Sequence, residues 1–321
     1  MALQAMPRTV TARRRQSFSL TPYLYLLPGV LGITLLFVYP IIDTIRISLT
    51  NYNLYHSTPQ SPPQWVGLKN YTDLLSPDSP FAQLFFSVFL WTVIFALVTS
   101  VLNYFAGLLV ALVLNNPRLR ERVIYRTILI VPWALPSTIT ILIWQGLLNK
   151  DFGAIDSLLT SIGLPAVPWL LDAHGTQAAI FIVNLWLSFP FQMVVVLGGL
   201  QAIPGDVYEA AAVDGASAIQ RMLRITLPLV FRVTMPAMLL SFSFSLTNFG
   251  IIYLLNNGGP PRTDTSFAGS TDTLITFIYN LTLTFSRYDR AGALAVIVFF
   301  ITAGLSLIGF RLTGAFKEVQ A

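Results

Sequence analysis

The apolar residues of this chain form long unbroken blocks separated by polar segments. Six blocks are long enough to cross about 30 Å of hydrocarbon at about 1.5 Å per residue, so each predicts a membrane-spanning helix. The six predicted spans are 23–49, 84–114, 124–148, 178–201, 227–255 and 292–313. The pattern therefore predicts an all-α membrane protein with six transmembrane helices.

An even number of spans places both chain ends on the same side of the membrane. The segments on that side are 1–22, which is basic, 115–123, 202–226 and the tail 314–321. The segments on the opposite side, the predicted outer segments, are 50–83, 149–177 and 256–291. These three are longer and rich in Pro, Gly, Asn, Asp and Ser, which is typical of ordered turns that a soluble partner can contact.

The distribution of Lys and Arg predicts the orientation. Thirteen of the 19 basic residues lie on the side of the chain ends and five on the other, while Arg46 lies near the end of the first span. Because basic segments are retained in the cytoplasm, we expect both termini there, in the plasma membrane of a bacterium or archaeon. The net charge of +5 then requires no nucleic acid partner. The first block is too long for a signal peptide core, so we expect an uncleaved span.

Composition restricts the chemistry. The chain is 55% hydrophobic and 10% charged, with a mean hydropathy of +0.68. It has no cysteine, which excludes disulfides and thiolate chemistry, and its two histidines, His56 and His174, lie in the outer segments. It also lacks the GxxxxGK[ST] phosphate-binding loop. We therefore expect no enzymatic activity and no cofactor on this chain, and any energy from ATP must come through a partner.

Polar residues inside the spans indicate a pathway for a neutral solute. They lie beside apolar and aromatic neighbours, as Asn184 and Ser188 with Leu187 and Phe191, and as Ser245 and Asn248 with Phe244. Amides and hydroxyls next to aromatic rings suit a sugar, which offers hydroxyls at its rim and C–H faces for stacking. No charged residue lies in the middle of a span, which disfavours an ion. In the alternative interpretation, these polar residues only hold helices together.

Prolines are concentrated in the third to fifth spans. They are Pro132, Pro136, Pro190, Pro228 and Pro236. Each removes a backbone donor and predicts a kink, which suits a pathway that opens and closes. Ordinary membrane helices also contain prolines, so the pattern is equally compatible with a purely structural role.

The polar segment 202–226 predicts a pair of short helices. Asp206 followed by Glu209 has the spacing of a capping box, for a helix that continues to Val213 and ends near Gly215. Ser217 and Gln220 repeat that spacing for a second helix leading to Pro228. Such a hairpin either connects two spans or docks a partner on the cytoplasmic face.

The same segment resembles a known family. Glu209-Ala210-Ala211, Gly215 and Leu227-Pro228 match the EAA loop of binding-protein-dependent ABC importer permeases of type I. The resemblance implies that this hairpin lies in a cleft of an ATP-binding subunit and transmits its closure. The residues that would carry this coupling are Glu209, Ala210, Ala211, Asp214, Gly215, Leu227 and Pro228.

Over roughly residues 85–315 the chain also resembles, more closely, the larger membrane subunit of maltose and maltodextrin importers. The matching segments include YRTILIVPWALPSTITILIWQGLLN (125–149), VNLWLSFPFQMVVV (183–196) and SFSFSLTNFGIIYLLNNGGP (241–260). The resemblance implies a sugar pocket halfway across the membrane, lined by Trp133, Ser137, Asn184, Leu187, Ser188, Phe191, Phe244, Ser245 and Asn248.

The chain departs from that family in two ways. The best-known maltose permease has Tyr, Gly, Tyr and Asn where this chain has Trp133, Ser188, Phe191 and Ser245. It also carries a large inserted outer domain, whereas this chain has only a short segment with VGLKNY (66–71). These differences leave the sugar open among maltose, maltodextrins and other α-glucosides such as trehalose.

The resemblance implies a permease subunit that receives sugar from an extracytoplasmic binding protein. The expected partners are a second permease subunit in a heterodimer, two ATP-binding subunits that hold ATP and Mg, the binding protein, and membrane lipid. Alternatives are a permease for another neutral solute and an ion-coupled secondary transporter, which would want a carboxylate within the membrane. A membrane enzyme would need converging acids and bases, and the cluster Asp206, Glu209 and Asp214 is already explained by capping and docking.

Overall fold

The computed structural model describes residues 21–312. The predicted basic N-terminus, apart from its last two residues, and the tail 314–321 lie outside the described residues. The chain divides into two compact units, Met1–Thr44 and Ile45–Ala321.

The described part of the first unit is helical. The helix α1 (Thr21–Ile33) passes through a π-helical turn, Thr34–Val38, into α2 (Tyr39–Ser48), whose last residues belong to the second unit. The continuous stretch Tyr23–Ser48 is long and apolar enough to cross a membrane. Its side chains up to residue 42 are almost all exposed and apolar, as a lipid-facing helix requires.

The second unit is a helical bundle with short helices in its connecting segments. In chain order its helices are α3 (Lys69–Leu75), α4 (Pro80–Leu114), α5 (Arg122–Ala134), α6 (Ser137–Leu147), α7 (Ala154–Ser161), α8 (Ala173–Gln201), α9 (Gly205–Val213), α10 (Ala218–Arg221), α11 (Leu227–Leu246), α12 (Gly250–Asn256), α13 (Leu274–Tyr279) and α14 (Tyr288–Leu312). A 3₁₀ turn lies at Leu54–His56, and π-helical turns lie at Met222–Thr226 and Asn280–Thr284.

The helix α4 is the axis of this bundle, and three buried apolar clusters follow its length. The first joins α4 to α3, α13 and α14, the second joins it to α6, α8 and α12, and the third joins it to α8 and α11. Gly107 lets α4 and α8 approach closely, because a Cβ at this position would lie 2.6 Å from the backbone nitrogen of Met193. Small residues at such crossings are typical of membrane bundles.

The six predicted spans correspond to five single helices and one bent pair. Tyr23–Ser48, Pro80–Leu114, Ala173–Gln201, Ala218–Leu246 and Tyr288–Gly309 are each long and apolar enough to cross a membrane. The third predicted span, 124–148, is instead a pair of helices, α5 and α6, with a 90° bend between them. The all-α fold with six spans is therefore confirmed if the bent pair counts as one span.

Proline explains the bend. Pro136 is the N-cap of α6, and Leu135 before it has an extended backbone with φ −78° and ψ 148°. A proline removes a helical donor and forces the preceding residue out of the helical region, so the helix cannot continue. In contrast, α8 and α11 continue through Pro190 and Pro236.

The predicted fifth span, 227–255, is not one continuous helix. The helix that contains α11 begins at Ala218, inside the predicted loop, and ends at Leu246, and a separate helix, α12, follows. Thr247 and Asn248 lie at the interruption, where Asn248 Oδ1 accepts a hydrogen bond from the backbone N–H of Ile251. Such local bonds compete with the helical pattern and favour a new helix start.

Candidate functional site

Two adjoining cavities lie inside the second unit, among α4, α5, α6, α8 and α11. One has a volume of about 290 Å³ and is lined by Asn103, Trp133, Asn184, Ser188, Phe191, Gln192, Ser241, Phe244, Ser245 and Asn248. The other has a volume of about 300 Å³ and is lined by Pro132, Trp133, Leu135, Ser137, Ile141, Asn184, Leu187, Ser188, Asn248, Gly250 and Ile251. The nine residues of the predicted pocket all line one or both cavities.

Three further polar residues line the first cavity but are not among the residues predicted from the sequence. They are Asn103, Gln192 and Ser241. Gln192 lies four residues after Ser188, and Ser241 lies four residues before Ser245, so both extend polar rows at helical spacing. That spacing could have identified them. Asn103 lies in the second predicted span, which contributed no residue to the predicted pocket.

Three side-chain hydrogen bonds join the helices around the first cavity. Asn103 Nδ2 donates to Asn184 Oδ1 over 2.9 Å, which joins α4 to α8. Gln192 Nε2 donates to Ser241 Oγ over 2.6 Å, which joins α8 to α11. The hydroxyl of Thr99 donates to Ser245 Oγ over 3.3 Å, which joins α4 to α11. Each pair of these three helices is thus linked beside the cavity.

Two buried acceptors at this site lack a donor within the described part of the chain. They are Asn103 Oδ1 and Gln192 Oε1. A buried oxygen without a donor costs about 1–3 kcal/mol. The site therefore has unused capacity to accept hydrogen bonds, which matches the hydroxyl donors of a polyol.

The aromatic side chains give the cavities flat apolar surfaces. The rings of Trp133 and Phe191 have centroids 5.8 Å apart at an interplanar angle of 48°. Trp133 is 52% exposed and Phe244 is 73% exposed. Among residues 21–312, no side chain that lines either cavity is charged. The arrangement can stack C–H faces and bind hydroxyls, and it offers nothing to neutralise an ion.

A larger groove of about 680 Å³ lies in the segment 256–291, which is predicted to be outer. Arg262 in its wall forms an ion pair with Asp264 at 2.6 Å and donates to Ser87 Oγ at 2.9 Å. The guanidinium of Arg262 holds the pKa of Asp264 below its ordinary value through a hydrogen bond. This groove is charged and open, which suits a contact surface better than a sugar pocket inside the membrane.

The hairpin 202–226 forms two short helices, α9 and α10. The helix α9 ends at Val213, with Asp214 as its C-cap and Gly215 at φ +77°. The N–H groups of Gly215 and Ala216 bond the carbonyls of Ala212 and Ala211. This is the Schellman arrangement, which requires a left-handed residue that glycine adopts easily. The predicted helix end near Gly215 is therefore confirmed.

Of the two predicted capping boxes, one is confirmed and one was wrong. Ser217 and Gln220 bond each other's backbone N–H groups in both directions. Asp206 is not an N-cap, because Pro204 occupies that position with an extended backbone and no side-chain bond. The helix begins two residues earlier than expected, and Asp206 lies in its first turn, where a carboxylate interacts favourably with the helix dipole.

The other predicted coupling residues are largely accessible. Glu209, Ala210 and Asp214 are exposed on the hairpin, whereas Ala211 is half-buried. Leu227 and Pro228 begin α11 directly after the π-helical turn Met222–Thr226. The structure thus places the whole motif in one hairpin at the foot of α11, on the side predicted to be cytoplasmic.

Comparison with known proteins identifies the family. Residues 103–317 match the family described as "Binding-protein-dependent transport system inner membrane component". The chain belongs to this family. It is a permease subunit and not an enzyme, and it is a multi-pass protein of the plasma membrane. Within residues 21–312, no group of three His, Asp or Glu side chains is placed to hold a metal ion.

Two curated relatives and one solved structure illustrate the similarity. The galactooligosaccharides transport system permease protein GanP of Bacillus subtilis (strain 168) is 40% identical over 298 residues, which cover 92% of this chain and 71% of that protein. The maltodextrin transport system permease protein MdxF of the same organism is 38% identical over 307 residues, covering 93% and 70%. The crystal structure of a bacterial alginate ABC transporter in complex with an alginate pentasaccharide-bound periplasmic protein contains a chain with a TM-score of 0.75 and 23% identity, over 91% of this chain and 93% of that chain. That likeness shows the fold alone.

Proposed function

We propose that this permease subunit passes a neutral oligosaccharide, of the maltodextrin or related α-glucoside class, through the cavities between α4, α8 and α11. The observation that carries the proposal is the uncharged lining, which combines amides, hydroxyls and aromatic rings held in place by three interhelical hydrogen bonds. An ion-coupled carrier would want a carboxylate at this position, and the part of the chain that the structure describes contributes none to the lining.

The substrate has a second candidate within the same class. The named substrates of the two relatives are galactooligosaccharides and maltodextrin, and both are neutral sugars. The pocket pattern that matches maltose permeases favours an α-glucoside, whereas the 40% identity to the first relative favours a galactooligosaccharide. Ser188 and Ser245 each provide a single hydroxyl in the lining, and one hydrogen bond is worth about 0.5–1.5 kcal/mol, which is enough to choose between such sugars.

The proposed partners follow from the accessible surfaces. The outer segments 50–83, 149–177 and 256–291 would dock an extracytoplasmic sugar-binding protein. A second permease subunit would complete the pathway, and two ATP-binding subunits would hold ATP and Mg. The exposed residues Glu209 and Asp214 would face one of these subunits, whose closure would move the hairpin 202–226 and the helix α11 behind it.

The test uses the complex reconstituted in liposomes with its binding protein. Uptake and ATP hydrolysis are measured for maltose, maltotriose, trehalose, a galactotriose and glycerol 3-phosphate. We expect ATP-dependent uptake of a neutral oligosaccharide and none of glycerol 3-phosphate. Transport of the charged solute alone would refute the proposal.

Matched variants test the two sites separately. Ser245→Ala should change the preference among sugars, whereas Ser243→Ala should not, because Ser243 bonds Ser306 on α14 away from the cavities. Glu209→Ala should uncouple hydrolysis from uptake, whereas Glu121→Ala, an exposed acid on the same predicted side, should not. Equal behaviour within both pairs would mean that the sites are misplaced.

A further inference from the structure

The helix α9 of the hairpin is attached to the rest of the bundle at few points. Most of its residues are exposed, including Val213, which is 89% exposed. Tyr208 and Ala211 are half-buried and lie three residues apart, so they share one face of the helix. Within the described residues, Tyr208 supplies the side-chain hydrogen bond that links α9 to the span beyond it.

Thr226 makes a second hydrogen bond, and this bond sets the donor and the acceptor of the first. The hydroxyl oxygens of Tyr208 and Thr226 lie 3.0 Å apart, and Thr226 Oγ1 lies 3.3 Å from the carbonyl oxygen of Arg221. A carbonyl only accepts, so the Thr226 hydroxyl donates to Arg221 and must accept from Tyr208. Thr226 is only 6% exposed, so water competes poorly for these bonds.

The chain of bonds lies at an irregular point of the span. Thr226 ends the π-helical turn Met222–Thr226, in which the N–H of Leu227 bonds the carbonyl of Met222. Pro228 follows and has no N–H to donate, so the ordinary helical bonding is interrupted here. Without a brace, this turn is where the hairpin and α11 would bend relative to each other.

Beyond the turn, α11 contacts the cavity region directly. Thr234 shares a hydrogen bond with the hydroxyl of Tyr104 at 2.9 Å, and Ser241 and Ser245 make the interhelical bonds beside the first cavity. From Leu227 to Ser241 the helix covers about 21 Å at 1.5 Å per residue. A displacement at Thr226 that is carried rigidly along α11 therefore reaches the cavity wall.

We propose that the chain Tyr208–Thr226–Arg221 is a clamp that makes α9 move as one body with the continuous helix Ala218–Leu246, which contains α11. Tyr208 and Thr226 are then positioning residues for the coupling of ATP hydrolysis to sugar movement. This proposal rests on the proposed function. It differs from a purely static support of the hairpin, because a clamp sets how much transport each hydrolysed ATP yields.

The test measures sugar uptake per ATP hydrolysed by the reconstituted complex. Tyr208→Phe and Thr226→Val should each lower this ratio about fivefold, the effect of roughly one hydrogen bond, with the KM for sugar unchanged. The double variant should be no worse than either single one, because each removes the same link. Thr226→Ser keeps the hydroxyl and should restore the ratio. Tyr125→Phe is the control, because within the described residues the Tyr125 hydroxyl makes no hydrogen bond.

A second readout is hydrogen–deuterium exchange of the amides of α9 in the full complex, which should become about fivefold faster in Tyr208→Phe. An unchanged transport ratio, or a loss that Thr226→Ser shares, would overturn the clamp while leaving the proposed function intact. If the wild-type complex carries no oligosaccharide, the proposed function fails. The exchange measurement then decides the clamp alone, and unchanged exchange would refute it.

Discussion

Asn103 Nδ2 donates a hydrogen bond of 2.9 Å to Asn184 Oδ1, which ties the axis helix α4 to α8 inside the bundle. Both residues are 4% exposed, so bulk water competes poorly with this bond. The bond therefore fixes one wall of the proposed pocket and contributes to the stability of the bundle.

Asn103→Ala and Asn184→Ala should each lower the free energy of unfolding by about 1–3 kcal/mol, because each leaves the other amide buried and unpaired. The double variant should lose about 1 kcal/mol less than the sum of the two. Denaturation of the purified chain in detergent measures both effects. Asn116→Ala removes an amide whose oxygen accepts from the Arg118 N–H at an exposed loop position, so it should cost no more than about 1 kcal/mol. Strict additivity of the two core variants would show that the bond contributes nothing.

Trp133→Ala should raise the KM for the transported sugar roughly three- to tenfold, because the pocket loses an aromatic face for stacking. Trp133 is 52% exposed, so the substitution should change the free energy of unfolding much less than the affinity for sugar. Uptake kinetics in liposomes measure the KM, and denaturation of the purified chain in detergent measures the stability. Trp133→Phe keeps a flat ring and should retain most of the affinity. A KM that does not move in Trp133→Ala would place the sugar elsewhere.

Gly107→Ala should destabilise the bundle by about 1–3 kcal/mol, because the added methyl group would lie 2.6 Å from the Met193 backbone nitrogen. The helices α4 and α8 would have to separate to accommodate it. Gly146→Ala is the matched control, since that glycine lies within α6 and no atom of residues 21–312 comes within 4 Å of an added Cβ. The control should be neutral or slightly stabilising. Equal melting temperatures for the two variants would contradict the close approach.

Asp272→Asn should flatten part of the pH dependence of stability. Burial raises the pKa of Asp272, whose Oδ2 accepts from the Gly269 N–H at 2.7 Å and from Asn280 Nδ2 at 3.2 Å. Because the folded pKa lies above the unfolded one, the stabilising term is complete below the unfolded pKa and is lost as pH rises through the folded pKa. Asparagine keeps an accepting oxygen and carries no charge.

Melting temperatures of the wild type and Asp272→Asn measured across acidic to neutral pH check this expectation. Asp264→Asn should change the pH dependence of stability in the opposite direction. Its carboxylate has a lowered pKa because of Arg262, so its term is present above the unfolded pKa and is lost as pH falls. Identical slopes for Asp272→Asn and the wild type would contradict the raised pKa.

The sequence was sufficient for the architecture because long apolar blocks have few other uses. The polar residues Asn184, Ser188, Ser245 and Asn248 were recognisable in the sequence because polar groups are rare inside apolar blocks, and all four line the cavities. The sequence did not show which of several prolines ends a helix. Pro136 ends a helix, whereas Pro190 and Pro236 lie within continuous helices, and only the packing around each decides between these outcomes.

Two other differences have local causes. Asn103 was missed because its role depends on α4 lying against α8, which is a long-range contact without a local pattern. Asp206 has the right spacing for a cap, but the backbone of Pro204 begins the helix earlier. In both cases the deciding interaction involves a residue outside the motif under consideration.

The π-helical turn Met222–Thr226 also takes up one residue without changing the angular phase between the hairpin and the pocket. Such a turn widens the helix and so fits one more residue into one rotation than an α-helical turn does. The loss of a single residue here would therefore restore regular α-helical winding with little rotation of the hairpin. In contrast, a residue added to or removed from the regular part of α11 would rotate the hairpin by about 100° relative to the pocket. The turn is therefore a place where the chain length can change by one residue while the two surfaces stay aligned.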